Sequence, residues 1–200
     1  MELLFVSYIL CDKIIFTMKK TMLLHSCCGP CSSAVIERLL PDYEVSVLYY
    51  NPNITDEEEY LHRFSEQKRL LEEAYPGVTL VPSKYDPEAY LEAVKGLEGE
   101  PEGGARCSVC FRLRLEETAR IAKEQGFDCF DTTLTVSPHK NYDVISAIGQ
   151  ELSEKYGVPY ESGNYKKKDG FKRSIELSRE YGLYRQDFCG CEFSRWHPKE

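Results

Sequence analysis

Seven of the nine cysteines fall in three close groups: Cys27-Cys28-x-x-Cys31, Cys107-x-x-Cys110 and Cys189-x-Cys191. Close spacings let several thiolates converge on one ion or cluster, whereas a disulfide framework scatters its half-cystines to tie distant segments. Cys107-x-x-Cys110 presents two sulfurs to one centre, a spacing shared by zinc sites and dithiol redox pairs. In the run Ser26 to Ser32, SCCGPCS, adjacent cysteines diverge unless the backbone is irregular, and Gly29 with Pro30 suggests such a loop. Two thiolates from this run and two from Cys107-x-x-Cys110 make the four that a [4Fe–4S] cluster requires. Cys189-Gly190-Cys191 is too tight for a relaxed disulfide but allows a strained, easily reduced one. It also allows two thiolates to hold one metal, with Asp187 as an oxygen donor. The three groups hold more sulfurs than one cluster uses, and the surplus argues for redox chemistry. The structural alternative is a zinc ion pinning the C-terminal segment, since zinc and iron–sulfur sites share ligands. Cys11 and Cys129 read as ordinary buried or free thiols, and His25 and His139 read as readily as packing residues as ligands.

The elements that must position these groups alternate in type. Met22 to His25 is an apolar run ending at the first cysteines, as a buried strand ends in a loop. Pro30 suits the first turn of a helix running to about Leu40. Glu44 to Tyr50 reads as a second strand. A long amphipathic helix follows over Thr55 to Tyr75, with Thr55 and Glu58 as a capping box. A strand over Val78 to Val81 and a helix over Pro87 to Lys95 lead to the acidic glycine-rich loop Gly96 to Gly104. Cys107 to Gln125 is a helix terminated by Gly126. Then come a strand over Phe127 to Thr133 and helices over Asp143 to Tyr156 and Ile175 to Tyr181. Leu183 to Glu200 is an irregular segment carrying the last cysteine pair. This order predicts an α/β fold with a doubly wound, mostly parallel sheet. Ligands of such sheets lie beyond the carboxyl ends of the strands, so Cys27, Cys28 and the Thr132-to-Asn141 loop should open onto one edge.

A chain of 200 residues suffices for one α/β domain. The net charge of −8 does not advertise nucleic-acid binding. Lys166 to Arg173, KKKDGFKR, is the local exception and can meet phosphate; its alternative reading is a solvated loop. Tyr49 to Asn53, YYNPN, reads either as core and turn or as a base-stacking ledge. Residues 1–17 carry short apolar runs without the features of a signal peptide and are too short to span a bilayer. They read as an extension from an upstream start or as a loosely attached segment, ahead of a single domain over 18–200. No stretch suggests export or a transmembrane helix, so a reducing cytoplasm is the expected location.

HSCCGPCS at 25–32, YYNPNI at 49–54, GGARCSVCFRLRL at 103–115, TTLTVSPHKN at 132–141 and GLYRQDFCGC at 182–191 together resemble the QueH-type epoxyqueuosine reductases. The resemblance runs from about Met18 to about Ser194. It implies a fold similar to the adenine nucleotide α-hydrolase class and a role in the last step of queuosine formation. There, epoxyqueuosine at the tRNA wobble position is reduced to an alkene and its oxygen leaves as water. It implies a [4Fe–4S] cluster on Cys27, Cys28, Cys107 and Cys110. Cys189 and Cys191 would form a redox-active disulfide or hold a mononuclear iron, and Cys31 is available to either centre. The partners implied are tRNA carrying epoxyqueuosine in its anticodon loop and an external electron donor, with no membrane. Lys166, Lys167, Lys168, Lys172 and Arg173 are the candidate tRNA contacts, with Arg112 and Arg114 as further possibilities. His139, Lys140 and Tyr142 are candidate proton donors. A tRNA-thiolating enzyme of the ATP-pyrophosphatase type would need an SGGxDS-like phosphate loop where this chain has SCCGPCS. A zinc-stabilised RNA-binding module is the non-enzymatic rival.

Overall fold

The computed structural model describes residues 19–194. The expected extension over 1–17, with Cys11, lies outside the described residues. Four strands, β1 (Lys20–His25), β2 (Tyr43–Leu48), β3 (Thr79–Val81) and β4 (Cys129–Thr132), form a sheet in the order β3-β2-β1-β4. Every pairing is parallel. Beyond β4 the chain adds a rudimentary fifth position, where Phe130 N–H donates to Pro159 O and Glu161 N–H donates to Phe130 O.

The sheet is covered on both faces, which is why its strands read as apolar runs. Met22, Leu24, Val45, Val47 and Cys129 pack with residues of α1 (Gly29–Leu39) and α2 (Glu57–Ala74). Leu23, Leu48 and Phe130, one residue out of phase, pack with α4 (Ala105–Gln125) and α5 (Tyr142–Tyr156). The period-2 alternation of the strands therefore builds two cores from one sheet. A short helix, α3 (Pro87–Ala93), precedes α4, and α6 (Gly170–Glu180) precedes the C-terminal segment. That segment is irregular up to a 3-10 turn at Glu192–Ser194, as expected.

The chain winds outward from β1 through β2 to β3, then returns to lay β4 on the other side of β1. The switch in winding direction therefore falls between β1 and β4, and their carboxyl ends form the crevice where ligands bind in such sheets. The cysteine run begins two residues beyond His25, the last residue of β1. Most elements lie within a few residues of their expected bounds. The cap of α2 is one residue later than expected: Asp56, not Thr55, accepts from Glu59 N–H at 3.2 Å. Helix α6 begins at Gly170, five residues earlier than expected, so the basic run divides between a loop and a first helical turn. Tyr49 and Tyr50 are buried, and Tyr49 packs against Tyr60 and Phe64. YYNPN is thus core and turn, not a ledge for bases.

Candidate active site

Two helix N-termini deliver the first two cysteine groups. Cys28 is the N-cap of α1, and Cys31 lies in its first turn. Cys107 and Cys110 lie in the first two turns of α4, and neither helix has an acidic residue in its first turn. The positive ends of the two helix dipoles therefore favour thiolates here. The Sγ atoms of Cys27, Cys28 and Cys31 all lie within 4.8 Å of one another, with Cys27 and Cys28 3.9 Å apart. The run is anchored from several directions. Thr133, just after β4, meets both the backbone N–H and the sulfur of Cys27, at 3.1 and 3.4 Å. Ser26 and Ser32 both donate to Gln67 Oε1, and Asn51 Nδ2 donates to Ser26 O.

Helix α2 holds the third group. Arg63 is buried and ion-paired to Glu59 at 2.6 Å, and donates to the carbonyls of Cys189 and Phe188. Asn53 Nδ2 donates to the same Cys189 carbonyl at 3.2 Å. Further along α2, Arg69 donates to Tyr181 O while Glu66 accepts from Tyr184 N–H. Residues at three-residue intervals on one helix face thus clamp the irregular C-terminal segment. Gly190 has φ +95°, a left-handed conformation that turns Cys189 and Cys191 into the same site. The Tyr90 hydroxyl meets Cys191 Sγ at 2.8 Å.

Two contiguous cavities result. A cleft of about 240 Å³ is lined by Cys27, Cys28, Cys31, Cys189 and Asp187 among others. A smaller cavity of about 40 Å³ is lined by Cys107, Cys110, Cys189, Cys191, Asn53 and Tyr90 among others. Glu102, Arg114, His139, Lys140 and Cys189 border both. All seven motif cysteines are free thiols at this site, whereas Cys129 is fully buried in the core away from it. The sequence expectation joined Cys27 and Cys28 to Cys107 and Cys110. By proximity the first two neighbour Cys31, and the second two share the small cavity with Cys189 and Cys191.

The thiols are not equivalent. Hydrogen bonds from Cys28 and Cys31 drive the Cys27 thiol well below its ordinary range, and Cys28, hydrogen-bonded to Cys27, is pushed up to about 11. The hydrogen bond from Cys191 lowers Cys189 to about 5, while Cys191 is driven up. The first and third groups therefore each contain one favoured thiolate and a partner that keeps its proton, whereas burial raises both Cys107 and Cys110. Burial pushes Cys110 up to about 11. Burial disfavours the charge of Lys140, but the sulfurs of Cys27, Cys31 and Cys189 more than offset it, and its pKa is raised. Tyr142 donates to Ser162 O at 3.0 Å and lines neither cavity.

His25 is fully buried and its pKa falls to about 3, first through burial and then through the nearby Arg114. It is a packing and hydrogen-bonding residue, neutral throughout the physiological range. Arg114 is buried and turned inward, which removes it from the phosphate contacts, and Arg112 pairs with Glu151 on the surface. Of the basic run, Arg173 is engaged by Glu37 at 2.7 Å and by Glu176 at 3.3 Å. Lys166 Nζ donates to Lys140 O at 2.8 Å, so it braces the cleft. Lys167, Lys168 and Lys172 are exposed. Arg38 of α1 donates to the carbonyls of Lys167 and Lys168, fixing the basic loop to the helix that carries Cys31. Sequence reasoning does not reach Asn51, Asn53, Arg63, Tyr90 or Gln186. Asn51 and Asn53 lie inside the YYNPNI motif and Gln186 inside GLYRQDFCGC, whereas nothing local marks Arg63 or Tyr90.

Among the described residues no helix is long and apolar enough to cross a membrane. A family model described as epoxyqueuosine reductase QueH matches residues 22–197. Among curated proteins, the epoxyqueuosine reductase QueH of Streptococcus pyogenes serotype M1 is 40% identical over 182 residues, covering 89% of this chain and 71% of the relative. That of Acinetobacter baylyi is 39% identical, covering 90% and 84%. That of Thermotoga maritima is 34% identical, covering 90% and 93%. The family match spans every cysteine group and, but for the first two residues of β1, every strand described above, and the chain belongs to the QueH family of epoxyqueuosine reductases.

Proposed function

We propose that this chain reduces epoxyqueuosine at the wobble position of tRNA to queuosine, the last step in forming that base. Both C–O bonds of the epoxide break, a C=C bond forms, and the oxygen leaves as water after two electrons and two protons enter. The observation that carries the reading is the convergence of seven free thiols from three segments on contiguous cavities bordered by Lys140. The donor set fits an iron–sulfur centre. Every candidate ligand of the cluster is a cysteine, and Asn53 Oδ1, on a residue lining the small cavity, is buried without a hydrogen-bond partner.

Cys27, Cys28, Cys107 and Cys110 would hold a [4Fe–4S] cluster. Cys189 and Cys191 would form the redox pair or hold a mononuclear iron beside Asp187, with Cys31 available to either. Such a cluster supplies electrons singly, and the second element supplies the other electron or Lewis acidity. The chain's own residues bind and protonate. Lys140 Nζ, kept protonated by the surrounding sulfurs, is the proton source at the epoxide oxygen, with His139 at the rim. Asp187 and Gln186 line the wall of the cleft in which the ring is held. The wobble base reaches this cleft by leaving the anticodon stack, which costs little in a single-stranded loop. Lys167, Lys168 and Lys172 meet phosphates. An external electron donor that delivers two electrons per turnover completes the balance, and a reducing cytoplasm keeps the thiols available.

Proximity favours a second distribution of ligands. Three sulfurs within 4.8 Å suit one ion, since tetrahedral thiolates at about 2.3 Å from a metal lie roughly 4 Å apart. Cys107, Cys110, Cys189 and Cys191 would then carry the cluster. Anaerobic reconstitution of Cys189→Ser separates the two. Under the first distribution, cluster absorption survives while alkene formation is lost; under the second, both are lost. Full turnover by this variant would make the pair structural. Zinc without iron or sulfide in anaerobically purified protein would sink the reductase reading itself.

A further inference from the structure

Arg114 is 3% exposed, and its guanidinium is held by neutral groups. Its Nε–H donates to His25 Nε2 at 3.3 Å, and its Nη2 donates to Asn51 Oδ1. His25 is held in turn by Thr132 Oγ1 at 2.9 Å on β4, its Nε2 also lying 3.1 Å from Tyr50 O, and Asn51 by Ser26 O at 2.9 Å beside the cysteine run. The third corner of the guanidinium, Nη1, points at Cys110 Sγ, 4.0 Å away. Among the described residues no carboxylate lies within ion-pair distance of Arg114. The other buried arginine that borders the cleft, Arg63, is by contrast paired to Glu59.

A buried cation without a counter-ion costs several kcal/mol. A fold retains one where negative charge arrives by another route, and here that route is sulfur. Arg114 borders both cavities, which together collect all seven thiols. A cluster on four thiolates is an anion, and it gains one further negative charge on reduction. A fixed cation directed at one ligand sulfur stabilises the reduced form more than the oxidised form, through net charge and through a hydrogen bond to sulfur. Cys110 is a cluster ligand under both distributions above.

We propose that Arg114 is a positioning residue that sets the reduction potential of the cluster, and that His25 and Asn51 hold its charge unneutralised against Cys110. The inference rests on the iron–sulfur reading. Its test is the midpoint potential of the anaerobically reconstituted holoenzyme, followed by the spectroscopic signal of the reduced cluster. Arg114→Gln removes the cation. Asn51→Asp leaves the cation and adds a carboxylate against the same nitrogen. Both should lower the midpoint potential, while Arg114→Lys stays closer to the wild type than Arg114→Gln. If Arg114→Gln fails to hold a cluster, a lowered potential in Asn51→Asp alone sustains the proposal. Unmoved potentials in both variants, a shift only in Arg114→Gln, or loss of the cluster from both would overturn it and leave Arg114 a structural role. A wild-type protein that takes up no cluster would instead remove the reading on which the proposal stands.

Discussion

The Tyr90 hydroxyl and the Cys191 sulfur are 2.8 Å apart, joining the short helix α3 to the last cysteine of the chain. The contact lowers the cost of a thiolate at Cys191, opposing the larger upward push from Cys189. Tyr90→Phe removes the hydroxyl and keeps the ring, which is buried. Partners of this kind are typically worth about 10–100-fold in metal affinity or activity. Turnover of epoxyqueuosine-containing tRNA should fall within that range, with the melting temperature little changed. Wild-type turnover would mean that Cys191 does not depend on this hydroxyl.

Gly190 separates the two cysteines at φ +95°, and a Cβ there would lie 2.8 Å from Ile54 Cγ1 and 3.2 Å from Arg63 Nη1. Gly190→Ala should therefore destabilise the protein by about 1–3 kcal/mol through backbone strain and displacement of the Arg63 clamp. Thermal denaturation reads the first effect. The second appears as faster alkylation of Cys189 as its segment loosens. A variant with wild-type stability and wild-type thiol protection would show that the segment tolerates another turn.

What can be read from the sequence is what is local. The three cysteine groups are spacing patterns, and the strands leading to them are short apolar runs between turn signals. The start of α6 escapes such a reading because Gly170 after Lys-Lys-Lys-Asp looks like a breaker. Its glycine answers a different need, since a Cβ there would come within 1.8 Å of Tyr165 O. The contacts of Arg114 are invisible for the opposite reason. His25 and Asn51 are 89 and 63 residues away in sequence and reach it only through the packing of α4 on the sheet. A surface position is the natural reading of RLRL, and burial overturns it. The grouping of the cysteines by proximity also depends on how α2 folds the C-terminal segment back, through arginines whose partners are backbone carbonyls with no sequence signature.

Asp131 gives a pH dependence that belongs to the fold and not to the cysteine site. Its carboxyl is fully buried and raised to about 7 by that burial, although Tyr165, Thr132 and Gly163 all donate to it. The native state thus holds a proton that the unfolded chain releases near its ordinary value of 3.8. The resulting stability is fully present below that value and is lost as pH rises through about 7, by at most on the order of 4 kcal/mol. Asp131→Asn cannot titrate. Whatever its absolute stability, denaturant midpoints should fall less for it than for the wild type between about pH 5 and pH 8. Parallel profiles would show that Asp131 does not titrate in this window.

Lys167, Lys168 and Lys172 project from a loop and a first helical turn, with Arg38 of α1 holding the loop carbonyls. Phe171 lines the cleft from this same segment, so the basic side chains flank the route to the cysteines. The overall charge of −8 makes this the place where a phosphate backbone gains most from local cations. Replacing Lys167 and Lys168 by glutamate should weaken binding of an anticodon stem-loop. It should also reduce the slope of log affinity against log salt by about 0.7 for each single-stranded phosphate that no longer meets a lysine. Arg173→Gln, which removes a guanidinium already paired with Glu37 and Glu176, should leave the slope nearly unchanged. A salt slope that ignores the lysines but responds to Arg173 would relocate the RNA path to the α1–α6 face.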